Sequence, residues 1–220
     1  NDNVEREIIN TRALAANRVA GILVSITQET EAVNHLQMLI NQGIPLVLFD
    51  RITEKLNVNK VIVDDFEGAY NAVTHLIQRG RKRIAHLAGS SSLYVSSRRR
   101  QGYEAALRDH NLSPDPKLVI TGGYHEKDGR TGAEKLFNLE NRPDAIFAVN
   151  DPVALGAFHY LQTNGITIPD ETALVGFTNN PNSSLVKPGL TTVSQPAFEI
   201  GRKAASLLLQ QLDNTYEEKP

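Results

Sequence analysis

The chain has 220 residues, of which 40% are hydrophobic and 22% charged, and its formal net charge is −2 at pH 7. This length allows one or two domains with a buried core, and the near-neutral charge provides no global field for attracting nucleic acid. The absence of cysteine excludes a disulfide framework and thiolate metal sites, and the apolar runs are too short to span a membrane.

Short apolar runs alternate with amphipathic segments along the chain, a pattern typical of βαβ units. Most runs are continuously apolar rather than alternating, as strands covered by helices on both faces are. The sequence therefore predicts an α/β fold with parallel sheets flanked by helices. The predicted strands are Val19–Val24, Pro45–Phe49, Lys60–Val63, Arg83–Ala88, Lys117–Ile120, Ala145–Val149, Thr172–Phe177 and Leu190–Ser194.

Three of the intervening helices have recognisable ends. Asp64 and Glu67 lie at capping-box spacing before an apolar stripe that stops at Gly80. Asp151, followed by Pro152, is predicted as the N-cap of another helix. The last long helix is marked by apolar residues at helical spacing, namely Ile200, Ala204, Leu207 and Leu208.

Polar side chains follow the carboxyl ends of most of these strands. Loops at such ends ring the crevice in which α/β proteins bind ligands. Carboxylates, amides and hydroxyls with one aromatic ring suit a polyhydroxylated or heterocyclic ligand. For Asp64 and Asp151 the alternative is a helix cap without a ligand role. The candidate positions are Ser25, Thr27, Asp50-Arg51, Asp64, residues 89–92, residues 122–124, Asn150-Asp151 and residues 178–180.

Motifs for catalysis are missing from the sequence. There is no glycine-rich phosphate motif, no nucleophile elbow and no zinc-protease motif, and the six histidines are scattered without ligand spacing. No metal and no cofactor is therefore expected, and the pattern favours a protein that binds a ligand without transforming it. The enzyme alternative is a sugar hydrolase in which Asp50 and Asp64 form the acid–base pair.

Two clusters of basic residues are interpreted as mainly solvated. For the run Arg98-Arg99-Arg100 two interpretations stay open: all three guanidinium groups lie on a solvated helix face, or one of them turns into a cleft while the others are solvated. The second cluster, residues 79–83, straddles a helix end and a strand start, which is typical of a solvated loop rather than a nucleic-acid groove.

Several long segments follow one another in the order of a known family. They include VIVDDFEGAYNAVTHLIQRGRKRIAHLAG (61–89), RRQGYEAAL (99–107), DAIFAVNDPVALGAFHYLQTNGITIPDETALVGFTNN (144–180) and LTTVSQPAFEIGRKAASLLL (190–209). The N-D-x-x-A-L-G-A and L-T-T-V-x-Q-P patterns within them are the most specific. On these segments the chain resembles the LacI/GalR family of bacterial transcription regulators.

This resemblance implies an effector-binding core of two Rossmann-like lobes, the periplasmic-binding-protein-like arrangement, with a ligand cleft between them. Residues 1–63 plus 196–220 would form the N-terminal lobe and residues 64–195 the C-terminal lobe. The first strand and helix of the core, and the helix-turn-helix that reads an operator, are expected before Asn1, and a last strand after Pro220. The expected partners are a sugar-like effector, operator DNA through that helix-turn-helix, and a second copy in a cytoplasmic homodimer.

The family's ligand contacts carry over to five positions. The resemblance implies that Asp50 is the cleft aspartate, that Arg99 reaches the ligand from the start of its helix, and that Asn150 is the asparagine of the N-D pair. It also implies that Tyr124 supplies the aromatic ring and that Asp64 is a polar position at the lobe crossing.

One expected ligand contact departs from the family pattern. The common G-F-D sequence, whose acid contacts the ligand, here ends in Thr178, which offers a hydroxyl instead. Ser25 completes the candidate site because it follows a strand.

Effector binding would alter operator affinity through the relative orientation of the lobes, by about 1–3 kcal/mol of coupling. The rival to a regulator is a periplasmic sugar-binding protein of a transporter or chemoreceptor. Apolar residues of the second helix would supply a partner surface or pack inside the lobe, namely Leu36, Met38 and Leu39.

Overall fold

The computed structural model describes residues 2–217, with side chains described as far as Asp213. Each predicted strand run overlaps a strand, and every described strand pair is parallel. The α/β fold class is confirmed. The helices are α1 Val4–Ala16, α2 Asn34–Asn41, α3 Asp65–Gln78, α4 Tyr94–Asp109, α5 Glu126–Phe137, α6 Asp151–Thr163 and α7 Ala197–Glu217. The strands are β1 Ile22–Val24, β2 Leu46–Phe49, β3 Asn59–Val61, β4 Ile84–Ala88, β5 Val119–Thr121, β6 Ala145–Ala148, β7 Ala173–Thr178 and β8 Thr191–Ser194.

The chain divides into two compact units. The first comprises Asn1–Val63, Ser92–Val95 and Pro196–Pro220, and the second comprises Asp64–Ser91 and Ser96–Gln195. The interpretation of these units as the two lobes of an effector-binding core, with the boundaries given above, stays a prediction.

The first unit is built on a sheet of order β1-β2-β3, which α7 covers. Its core contains Val47 and Val61 from the sheet and Ile200 and Ala204 from the helix. The apolar stripe predicted for the last helix is therefore confirmed. The three apolar residues of α2 that were considered for a partner surface differ in exposure. Leu36 and Leu39 are fully buried and pack inside the unit, whereas Met38 is exposed.

The second unit is built on a sheet of order β5-β4-β6-β7-β8. β6 is buried along its whole length, which explains why its sequence is continuously apolar. Ala145 and Phe147 face α3 and α4, where they join a core that includes Tyr103 and Phe177. Alternate strand residues face the opposite side of the sheet, where α5 and α6 pack.

Two glycines allow α5 and α6 to approach closely. A Cβ atom on Gly156 would lie 1.9 Å from the carbonyl oxygen of Glu126, and one on Gly129 would lie 1.9 Å from that of Val153. Because both obstacles are backbone atoms inside helices, a side chain at either position forces the helices apart.

We expect Gly156→Ala to lower the free energy of unfolding by about 2–3 kcal/mol, since overpacking a well-packed contact costs this much. Chemical denaturation measures the change. Gly201 is the matched control, because its Cβ would meet no atom within 4 Å. Gly201→Ala, in the middle of a helix turn, is expected to raise the stability by about 0.5–1 kcal/mol. A Gly156→Ala protein as stable as the wild type would contradict the close approach.

Two local predictions need correction. The strand predicted for Lys117–Ile120 begins at Val119, because the side chain of Asp115 accepts a hydrogen bond from the amide of Lys117 at 2.9 Å and starts a short 3-10 helix. The prediction that Asp151 caps α6 is wrong by one residue. The cap is Asn150, whose side chain accepts from the amide of Val153 at 2.9 Å.

The cap predicted at the start of α3 is confirmed. The carboxylate of Asp64 accepts a hydrogen bond from the amide of Glu67 at 2.9 Å, and Gly80 follows the helix with a φ of 86°. Among the helices that the structure describes, none is long and apolar enough to cross a membrane.

Candidate functional site

Predicted site residues of the second unit lie where its strands end. Thr178 is the last residue of β7, Asn150 follows β6 by two residues, and Tyr124 follows β5 by three. Because neighbouring strands are parallel, these carboxyl ends share one edge of the sheet. Arg99 reaches the same edge from α4, through its hydrogen bond to the carbonyl oxygen of Val149. The structure thus brings four of the seven predicted residues to one edge of one unit.

The guanidinium of Arg99 is held in place on three sides. Its Nε donates to Oδ1 of Asp65 at 2.8 Å, its Nη2 forms an ion pair with the same oxygen at 2.7 Å, and its Nη1 donates to the carbonyl oxygen of Val149 at 2.5 Å. Its Cζ lies 3.7 Å from the ring centroid of Phe177, in a cation–π contact. Two of the five N–H groups are used in these hydrogen bonds, so the guanidinium keeps further donors for a ligand.

The other two arginines of the basic run point away. Nη1 of Arg98 donates to Gln101 at 2.8 Å, and Nε of Arg100 donates to Glu104 at 2.9 Å. Arg99 is 3% exposed, whereas Arg100 is exposed. Of the two interpretations of this run, the structure supports the one in which a single guanidinium is buried.

Asn150 and Tyr124 are joined by a hydrogen bond. The Nδ2 of Asn150 donates to the carbonyl oxygen of Tyr124 at 3.0 Å while its Oδ1 caps α6, so the amide has one defined orientation. The Tyr124 hydroxyl is hydrogen-bonded to the hydroxyl of Ser96. The position of the ring requires glycine at residue 89, where a Cβ would lie 2.5 Å from Cζ of Tyr124. Tyr124 is only 9% exposed, so its proposed stacking on a ligand stays a prediction.

The end of β7 is strained. Thr178 has a φ of 110° and Asn179 a φ of 56°. A β-branched residue at positive φ is an outlier, and such strain costs about 1–3 kcal/mol and is concentrated at functional sites. Among the described residues, none is a hydrogen-bond partner of the Thr178 hydroxyl, which is half-buried. The hydroxyl is therefore available to a ligand.

Asp151 holds this strained segment. Its fully buried carboxylate accepts hydrogen bonds from the amide of Asn180 at 2.6 Å, the hydroxyl of Ser183 at 2.7 Å and the hydroxyl of Thr192 at 2.6 Å. The hydroxyl of Thr192 in turn accepts from the amide of Asn179 at 3.3 Å. Asp151 is thus a positioning residue for the loop that begins at Thr178.

Sequence reasoning did not predict the roles of the two buried aspartates that shape the site, although Asp151 was among the candidate positions. The second of two consecutive aspartates, Asp65, binds Arg99, whereas the first, Asp64, is exposed and caps α3. Asp151 was interpreted as a cap, and instead it organises a loop about thirty residues along the chain. In both cases the only available signal was an acid beside a predicted helix start.

The remaining predicted residues belong to the first unit. Ser25 follows β1, and its hydroxyl accepts a hydrogen bond from the amide of Arg51 at 3.4 Å. Asp50 follows β2 with a φ of 57°, and its amide donates to the carbonyl oxygen of Val61 at 3.0 Å. A residue in the left-handed region at a strand end is again typical of a functional position.

A buried histidine lies in β4 of the second unit. His86 is stacked between Tyr103 and Phe147, with ring centroids 5.1 and 4.9 Å away, and its Nδ1 is 3.0 Å from the carbonyl oxygen of Phe147. Desolvation by burial lowers the pKa of His86 to about 4, and the positive charges of Arg100 and Arg99 act in the same direction, against the Phe147 carbonyl.

The stability of the second unit should therefore depend on pH. The unfolded chain binds a proton at His86 near pH 6.5, whereas the folded chain does so only near pH 4. The contribution of neutral His86 to the free energy of unfolding is therefore complete above pH 6.5. It is lost progressively as the pH falls towards 4, by about 3 kcal/mol in total. Denaturation curves recorded at several pH values give the free energy of unfolding as a function of pH. In His86→Phe the fall in this free energy between pH 6.5 and 4 should be smaller by the His86 contribution. The control His159→Gln, at an exposed residue, should keep the full fall. An unchanged slope in His86→Phe would contradict the assignment.

No group of three or more His, Cys, Asp or Glu side chains suited to a metal ion occurs in the described part of the chain. The chemistry that the strand-end residues offer is hydrogen bonding by a guanidinium, an amide and a hydroxyl, beside a buried ion pair.

Comparison with known proteins decides the family. The profile of the periplasmic binding protein-like domain matches residues 73–220. A crystal structure of a regulatory protein of the LacI family from Chloroflexus aggregans is 32% identical, with a TM-score of 0.83, over 94% of this chain and 74% of that chain. The chain belongs to the LacI family. The resemblance and the fold predicted from the sequence are thereby confirmed.

Two other LacI-type relatives are similar. The HTH-type transcriptional repressor PurR of Vibrio atlanticus is 34% identical over 208 residues, which cover 94% of this chain and 62% of the repressor. The structure of the transcriptional regulator CelR in complex with cellobiose is 29% identical, with a TM-score of 0.86, over 97% of this chain and 65% of that chain. The chain thus spans about 62% of the length of the curated repressor it matches.

Proposed function

We propose that this chain is the effector-binding part of a LacI-type transcription repressor. A small molecule would bind at the carboxyl ends of the strands of the second unit and alter the affinity of the whole protein for operator DNA. The observation that carries this proposal is that the held guanidinium of Arg99 and the strained, unpartnered Thr178 lie at the same edge of the sheet. The similarity to the repressor PurR supports the link to DNA.

The effector that suits these groups is a sugar or a sugar derivative. The unused N–H groups of Arg99 and the hydroxyl of Thr178 can bond to hydroxyls of such a ligand. The similar regulator CelR has been solved with cellobiose, which supports this class. The other proposed contacts are Asn150, Tyr124 and Asp64 in the second unit, and Asp50 and Ser25 in the first, on the strength of the family resemblance.

The proposed mechanism is allosteric. The effector changes operator affinity only by its differential affinity for two states of the protein, typically about 1–3 kcal/mol. The proposed partners are the effector, operator DNA through a helix-turn-helix outside this chain, and a second copy in a cytoplasmic homodimer. Because the similar curated proteins are repressors, this reading is favoured over a periplasmic sugar-binding protein and over a sugar hydrolase.

Titration calorimetry of the intact protein with monosaccharides, disaccharides and purines tests this function. We expect one class to bind saturably and to change the affinity for operator DNA in the same concentration range. If no compound of the panel binds, or if the best binder leaves operator affinity unchanged, the proposed function is wrong.

Thr178→Val should weaken binding of the best compound about tenfold, because the substitution removes the hydroxyl and keeps the branched shape. The control is Thr163→Val, since Thr163 lies on α6 and its hydroxyl donates to the carbonyl oxygen of His159 at 2.8 Å. Calorimetry measures both dissociation constants. Equal affinities in Thr178→Val and the wild type would remove Thr178 from the site.

A further inference from the structure

A cavity lies at the opposite end of the same sheet from the candidate effector site. It has a volume of about 390 Å³ and is lined by the first residues of β7 and β8, the end of α3, and the loops that precede the two strands. The strand residues that line it begin at Ala173, five positions before Thr178. At roughly 3.3 Å per residue, the cavity is about 16 Å from the candidate effector site.

The charge around this cavity is positive. His75, Arg79 and Arg81 line it, and none of the described lining residues is acidic. The nearby α3 ends here and contributes a partial negative charge of about half a unit, which two full guanidinium charges exceed. The carboxylate of Glu171, on the adjacent loop, is turned to Thr167, whose amide and hydroxyl both donate to it at 2.7 Å.

The guanidinium of Arg81 is held in place by hydrogen bonds that do not use all of its N–H groups. Its Nη1 and Nη2 donate to the carbonyl oxygens of Asp170 and Pro169 at 3.0 and 2.7 Å. Its Nε is buried and has no hydrogen-bond partner among the described residues. Nη1 and Nη2 each carry a second N–H that these bonds leave unused, and an acceptor in the cavity can bond to it.

The remaining walls are mostly apolar. They include Leu76, Ile168, Leu174 and Pro188. A volume of this size falls in the range of roughly 300–1,000 Å³ that small-molecule sites occupy, and such sites combine apolar walls with a few polar groups. The combination suits a ligand with a ring-sized apolar body and one anionic group.

We propose that this cavity is a second ligand site, which takes a small organic anion whose carboxylate or phosphate group is bound by Arg79 and Arg81. A planar guanidinium matches both groups because it can donate two parallel hydrogen bonds. The proposal is independent of the effector site, since none of the residues involved is shared with it.

The test uses the intact protein and three small molecules that share a phenyl ring and differ in their polar group. Benzoate and phenyl phosphate carry the two candidate anionic groups, and benzyl alcohol is the neutral counterpart. Amide chemical shifts are followed during each titration. Gly189→Phe adds a large ring at a lining residue without a clash, because a Cβ at Gly189 meets no atom within 4 Å. Arg79→Gln removes an exposed cation of the cavity, and Arg108→Gln, on α4 of the same unit, is the matched control.

We expect at least one anion to shift the amides of the lining residues saturably, and benzyl alcohol to bind at least tenfold more weakly. Arg79→Gln should weaken the anion at least fivefold, Gly189→Phe should abolish its binding, and Arg108→Gln should leave it unchanged. The comparison of benzoate with phenyl phosphate identifies the preferred group. The proposal is overturned if neither anion binds below about 10 mM, if the alcohol binds equally well, or if Arg79→Gln binds the anion like the wild type.

Discussion

Arg99→Met is expected to lower the free energy of unfolding of the second unit by about 3–5 kcal/mol, the cost of leaving one member of a buried ion pair without its partner. Asp65, only 1% exposed in its side chain, would keep a carboxylate in a site that excludes water. The carbonyl oxygen of Val149 would lose a donor, and the ring of Phe177 would lose its cation. Chemical denaturation followed by circular dichroism measures the loss.

The control for this prediction is Arg98→Met, one residue earlier on the same helix. Arg98 is hydrogen-bonded to Gln101 on the surface, so its loss is expected to cost less than 1 kcal/mol. The double variant Arg99→Met/Asp65→Leu should recover part of the stability, because it removes both buried charges. A loss in Arg99→Met no larger than in Arg98→Met would contradict the buried ion pair.

Asp151→Ala is expected to cost about 3–5 kcal/mol for a different reason. It leaves three donors without their acceptor, on Asn180, Ser183 and Thr192, and each unsatisfied buried group costs about 1–3 kcal/mol, with some relief from solvent. The variant should also release the loop after β7, so effector affinity should fall together with stability.

Two measurements distinguish these effects of Asp151→Ala. Denaturation gives the global loss, and hydrogen exchange at the amide of Asn180 reports the local opening of the loop. The exposed Asp170 is the control, and Asp170→Ala should change neither quantity by more than about 0.5 kcal/mol. Unchanged exchange at Asn180 in Asp151→Ala would show that the carboxylate does not hold the loop.

The sequence predicted those features whose causes are local. The eight strand runs, the cap at Asp64 and the stripe of α7 each depend on residues close together in the chain, so composition and spacing were enough. The one-residue error at α6 arose because Asn150 and Asp151 are both good caps, and only the three donors around Asp151 decide between them.

The contacts within the candidate site were beyond local reasoning. Asp65 and Arg99 are 34 residues apart, and Asp151 and Thr192 are 41 apart. Such pairs depend on which helix faces which strand, and neither periodicity nor capping signals carry that information. The ring of Phe177 beneath Arg99 is a further example, because its sequence pattern indicated only a buried strand. Thr178 was singled out by a departure from the family pattern, and its strained backbone gives that departure a physical context.

A crystal structure of the protein with the best binder from the calorimetric panel tests the central claim most directly. The account predicts density for the ligand at the carboxyl ends of β6 and β7, within hydrogen-bond distance of Arg99, Asn150 and Thr178. Ligand density that is confined to the cavity beside Arg81, or that contacts none of these three residues, would contradict it.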